Sequence, residues 1–85
     1  MRYGLATFRV RTETMRFFGA MKRRGVPVAV VNTPKEAHVG CGVSVRFPIE
    51  GWNVARSILR YGGYDSFAGF FELFRYGAKT VVKML

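Results

Sequence analysis

The sequence predicts an α+β fold in which strands and helices alternate. Three observations carry that expectation. Residues 3–10 and 43–47 alternate apolar and polar side chains, and 26–31 is a β-branched run, both strand signals. Residues 12–24 and 50–61 repeat apolar side chains at helical spacing. Glycines and prolines punctuate the segments between them.

The first strand places Ala6, Phe8 and Val10 on one face and Thr7 and Arg9 on the other. Thr12 or Thr14 is positioned to cap a helix running to about Arg24, with Phe17, Phe18 and Met21 on its buried stripe. Lys22, Arg23 and Arg24 fall in its last turn, where cations suit the helix dipole, and Gly25 ends it. Residues 26–31 read as a second strand buried on both faces. Asn32, Thr33 and Pro34 break that strand, and 32–42 reads as a loop. Val43, Val45 and Phe47 form one face of a third strand, Ser44 and Arg46 the other, and Pro48 stops it. A second helix from about Glu50 to Tyr61 buries Trp52, Ala55, Ile58 and Leu59, and Gly62 and Gly63 end it.

Residues 67–85 fit two patterns. Phe67, Phe70, Phe71, Phe74, Ala78, Val81, Val82 and Leu85 recur at helical spacing, with Asp65 or Ser66 as a cap. The aromatics of 67–73 equally suit a fourth strand. Gly69 and Gly77 weaken a continuous helix. The expectation is therefore a strand at 67–73 and a short basic tail of helical character from Lys79. The order β-α-β-β-α-β then predicts a ferredoxin-like sandwich: a four-stranded antiparallel sheet, two helices on one face, and a basic C-terminal extension. Residues 1–85 form one domain on this reading, with a core at about 3–75 and a tail at 76–85.

Composition narrows the functions open to the chain. Of its 85 residues, 49% are hydrophobic, enough to close a small core. Fourteen Lys and Arg against five Asp and Glu give a formal net charge of +9, which attracts nucleic acid, a membrane surface or an acidic protein, or else simply keeps the protein dissolved. One cysteine excludes an internal disulfide and a Cys-based zinc site, and one His adds no metal cluster, so no metal and no tightly bound cofactor is expected. The acids Glu13, Glu36, Glu50, Asp65 and Glu72 are scattered, which leaves a hydrolytic carboxylate pair without support. Glycine-rich phosphate loops are absent from the sequence. No run approaches the ~18 apolar residues of a membrane span. The N-terminal ten residues carry Arg2 and Arg9 and lack the apolar stretch of a signal peptide. A lone cysteine fits a reducing compartment, so a cytoplasmic location is expected.

The loop Thr33-Pro34-Lys35-Glu36-Ala37-His38-Val39-Gly40-Cys41-Gly42 is where chemistry is expected. It is longer than most connections in a compact domain. Gly40 and Gly42 free the backbone and leave space around the sulfur of Cys41. Lys35, His38 and Arg46 are near in sequence, and any that approaches the sulfur favours a reactive thiolate. The competing reading is that Cys41 packs as a small hydrophobe.

The segments at 3–8 and 43–47, the turn Thr33-Pro34-Lys35-Glu36 and the triplet Gly40-Cys41-Gly42 together resemble a bacterial family of small domains described as selenium/sulfur carrier protein-like. The resemblance covers roughly 3–75, and its specific part is the Pro-x-Glu to Cys-Gly loop. Lys35 stands where that family commonly has an Arg, which keeps the charge but loses the planar fork. The resemblance implies that Cys41 carries sulfur or selenium as a covalent persulfide or perselenide, as a carrier rather than a turnover enzyme. It implies a donor and an acceptor protein, acidic enough to meet the positive surface. Pro34, Lys35, Glu36, His38, Gly40, Gly42 and Arg46 become the supporting residues of that loop.

Two other classes remain open. A basic nucleic-acid-binding module would use Lys22, Arg23 and Arg24 with Arg9, Arg11 and Arg16 on phosphates, although the third strand offers one aromatic rather than the run that stacks bases. A structural or regulatory homodimer would pair through a sheet edge or through Phe67, Phe70, Phe71 and Phe74.

Overall fold

The computed structural model describes residues 2–38 and 40–85. Its elements run β1 (Arg2–Phe8), α1 (Arg11–Arg23), β2 (Ala29–Asn32), a 3-10 turn (Lys35–Ala37), β3 (Val43–Pro48), a second 3-10 turn (Ile49–Gly51), α2 (Trp52–Tyr61), β4 (Phe67–Tyr76) and β5 (Lys79–Met84). The strands form one antiparallel sheet in the order β2-β3-β1-β4-β5.

The sheet thus has five strands, where the sequence led us to expect four, and residues 79–84 are a strand, not a helical tail. The cause is local. Tyr76 pairs with Lys79 across Gly77 and Ala78, a two-residue hairpin turn. Gly77 has φ +63°, while Ala78 is not in the positive-φ region, the pattern of a type II′ turn with Gly first. β4 accordingly continues to Tyr76 instead of stopping at 73. The helical spacing of the aromatics is coincidental: Phe70 and Phe71 face opposite sides of the sheet.

Both helices lie on the sheet face that carries Ala6, Phe8, Val45, Phe47 and Phe70, and these pack with Phe17, Met21 and Ala55. Gly4 shares that face because it must: a Cβ there would stand 3.0 Å from Phe47 Cε1 and closer still to Cε2 and Cζ. The opposite face has its own buried cluster of Leu5, Phe71, Leu73 and Ala37, flanked by Tyr3, Val31 and Val82. Ala37 reaches it because the loop after β2 folds back over that face. Ser44, on the face opposite Val45 and Phe47, is fully buried as well.

Other boundaries shifted for identifiable reasons. β2 is a half-buried edge strand of four residues, not a doubly buried one, and Pro27 contributes no N–H to a ladder. α1 begins with Val10 as N-cap, without a side-chain cap among the described residues, so Val10 leaves the β1 face and is exposed. α2 starts at Trp52, after the 3-10 turn that contains Glu50.

Candidate functional site

The C-terminal end of β1, the start of α1, the end of β2 and the start of β3 converge at one end of the sheet, and Cys41 lies there. Its position follows from three local contacts. First, Thr33 N donates to Gly42 O at 2.9 Å, which closes the loop at its base. Second, Thr33 Oγ1 donates to Cys41 O at 3.2 Å and lies 2.6 Å from Ser44 Oγ. Each hydroxyl has a single proton, so Ser44 donates to Thr33 and Thr33 to the Cys41 carbonyl. Third, a Cβ on Gly40, whose φ is +141°, would sit 3.6 Å from Arg9 O, so the loop runs against the β1–α1 connection.

These contacts bring the half-buried Cys41 to the first turn of α1. Thr14 Oγ1, fully buried, is 3.8 Å from Cys41 Sγ and 3.4 Å from Val10 O, between which its one proton divides. The opening N–H groups of a helix have no intrahelical acceptor, and they form the positive end of its macrodipole. Arg9 lies against Gly40 and Arg11 opens the helix, both exposed. The half-buried sulfur therefore lies close to the helix start, with the backbone of Arg9 against the neighbouring Gly40.

A second set of bonds fixes the start of α1 itself. Glu13 accepts from Ser66 N and Ser66 Oγ, each at 2.7 Å, and from Asp65 N at 3.2 Å. The Ser66 hydroxyl and backbone hold the Glu13 carboxyl below the usual glutamate range. Ser66 O accepts from Arg9 N at 2.8 Å, and Ser66 Oγ accepts from Val10 N at 3.3 Å. Arg16 donates to Gly62 O at 2.7 Å and Gly63 O at 3.0 Å, with its guanidinium 3.9 Å from the Tyr64 ring centre. Burial pushes the Tyr64 hydroxyl above its ordinary value. The start of α1 is thus tied to the end of α2 and to β4.

The residues singled out from sequence are distributed unevenly. Pro34 precedes the 3-10 turn, Lys35, Glu36 and His38 are exposed on the loop, and Gly40 and Gly42 flank Cys41. A Cβ on Gly42 would meet open space. Val39 lies outside the described residues. Arg46 is three residues into β3, about 10 Å along the strand from its start, and its guanidinium lies 4.6 Å from the Tyr3 ring centre. The residues that contact Cys41 or brace its loop include Thr14, Thr33, Ser44 and Ala37. One signal for Thr14 was present: it occupies the stripe position before Phe17, Phe18 and Met21, where a polar residue needs a partner. Among the described residues no group of three His, Cys, Asp or Glu could hold a metal, and no helix is long and apolar enough to cross a membrane.

Comparison with protein-family models matches residues 3–65 to the family described as "Putative Se/S carrier protein-like". No curated protein and no solved structure matches the chain.

Proposed function

The chain belongs to the Se/S carrier protein-like family, and on that premise we propose that Cys41 holds one sulfur or selenium atom for transfer to an acceptor. The observation that carries the reading is the position of the chain's one cysteine: half-buried, beside the first turn of α1, on a loop inside the matched segment.

Loading is an exchange at sulfur. The Cys41 thiolate attacks the outer sulfur of a donor persulfide, a new S–S bond forms, the donor's S–S bond breaks, and the donor leaves as a thiolate. Unloading repeats the step in the other direction: an acceptor nucleophile takes the outer atom and Cys41 departs as thiolate. Selenium enters at the same oxidation level from a donor perselenide, so no further oxidant is required. One cysteine suffices for both steps, whereas a dithiol reductase would need two. Gly40 and Gly42 leave room for a second chalcogen, the positive end of α1 favours its charge, and Lys35 and His38 are exposed on the same loop. The surrounding cations suit acidic donor and acceptor proteins in a reducing compartment. The order β2-β3-β1-β4 with two helices on one face supports a ferredoxin-like core, to which β5 adds a strand.

The test is incubation with glutathione persulfide, followed by intact-mass and peptide spectrometry. The expected result is one added sulfur on Cys41, transferable to a small acceptor thiol and absent from Cys41→Ser. A native protein that gains no sulfur and resists alkylation at Cys41 would make the cysteine a packing residue and remove the carrier reading.

A further inference from the structure

A groove away from Cys41 lies on the helix side of the sheet, between α2 and the β4–β5 hairpin. β5 packs on β4 and on little else. A cavity of about 310 Å³ opens between Trp52, Arg56, Leu59 and Arg60 of α2 and Phe70 of β4. Across the ridge of Arg56 and Arg60, a second concavity of about 330 Å³ runs along Asn53, Ser57 and Tyr61. Beyond the cavity the same sheet face continues onto the hairpin. Phe70 is in the helix-side core, so alternation puts Glu72 and Phe74 on the same face, and pairing adds Lys83 and Val81.

Charge on this groove is one-sided. α2 contains no acidic residue, and Arg56, Arg60 and Lys83 are all exposed. The carboxylate on that sheet face, Glu72, is buried and paired with Arg2.

We infer that this groove docks an acidic polypeptide segment bearing aliphatic or aromatic anchors. The anchors would enter the cavity beside Trp52 and Phe70, while carboxylates meet the forked donors of Arg56 and Arg60. The aromatic geometry decides against single-stranded nucleic acid. Phe70 is 9% exposed, and its ring meets Trp52 at 4.7 Å and 74°, Phe67 at 4.9 Å and 61°, and Phe47 at 6.2 Å and 85°. Arg56 lies 5.6 Å from the Trp52 ring centre. Phe70 and Trp52 therefore meet edge to face, and the exposed Tyr61 lies apart from them in the second concavity, so these lining residues offer no run of adjacent open rings on which successive bases could stack. A second copy of this chain is disfavoured because two bodies of net charge +9 repel. The inference goes beyond the carrier reading, since the groove contains no residue of the Cys41 loop.

Trp52 is the chain's one tryptophan, so its emission reports on the groove directly. The probe is a synthetic peptide of alternating Glu and Leu with blocked ends. Its controls are a Glu-Ser peptide of equal length and oligo(dT). The expected result is a saturable shift of Trp52 emission by the Glu-Leu peptide, stronger than with either control. Arg56→Glu/Arg60→Glu should weaken it by about tenfold or more. Lys22→Glu/Arg23→Glu, of equal net charge but on α1, should weaken it far less, and circular dichroism checks that both variants are folded. Cys41→Ser should bind as the native protein does, which separates this result from any failure of sulfur loading. Equal losses in the two charge variants, tighter binding of oligo(dT), a shift produced only by raising protein concentration, or no saturable shift would each overturn the inference.

Discussion

Replacing Thr33 by Val tests how the Cys41 loop is held. Val keeps the shape of Thr and removes the hydroxyl. Two bonds go: the one Thr33 donates to Cys41 O, and the one it accepts from Ser44. The costs differ. Cys41 is half-buried, so water can replace the first bond, and its loss costs about 0.5 kcal/mol. Ser44 is 0% exposed and its hydroxyl is left stranded, which costs about 1–3 kcal/mol. With a urea m-value of about 1 kcal/mol/M for a domain of this size, the two losses together should lower the unfolding midpoint by roughly 1.5–3.5 M. The double variant Thr33→Val/Ser44→Ala removes both partners and should be more stable than Thr33→Val alone, a coupling that the double-mutant cycle isolates. Iodoacetamide should modify Cys41 faster in Thr33→Val and in the double variant than in Ser44→Ala, because only the first two free the Cys41 carbonyl. A Thr33→Val midpoint equal to that of the native protein, or a double variant less stable than the single one, would refute the chain of donors from Ser44 to Cys41.

Three further outcomes are expected. Gly4→Ala drives a Cβ into the buried Phe47 ring and should cost about 1–3 kcal/mol, measured by urea unfolding, with Phe47→Leu relieving part of the loss in the double variant. The lowered Glu13 carboxyl makes a pH prediction. Its contribution is complete above the ordinary glutamate range and is lost as pH falls through the lowered value, so thermal stability should drop on acidification more in the native protein than in Glu13→Gln. Gly77→Val places a β-branched residue at φ +63° and should destabilise the hairpin by about 1–2 kcal/mol; amide exchange should then accelerate in β5 while α1 stays protected, and uniform protection throughout would count against the turn assignment.

Much of the architecture was legible because it depends on local periodicity. The strands at 3–8 and 43–47 and the two helices follow from alternation and from the 3.6-residue stripe, and Gly25 lies just past the end of α1 as its composition suggests. The fifth strand was hidden because Phe67, Phe70, Phe71 and Phe74 satisfy both periods. The deciding signal is the Gly77-Ala78 pair before Thr80, Val81 and Val82, a two-residue turn that leads one strand into the next.

The sequence by itself determined which atom is available for sulfur chemistry, since Cys41 is the one thiol, and it determined a small α+β chain of strong positive charge. Tertiary structure decided what surrounds that atom. Thr14 lies 27 residues away and reaches Cys41 only because the loop before β3 runs against the start of α1 beside β1. Arg46, five positions from Cys41, is instead carried along its strand to the Tyr3 ring. Periodicity reports which face a side chain takes, and the sheet order decides which distant faces meet.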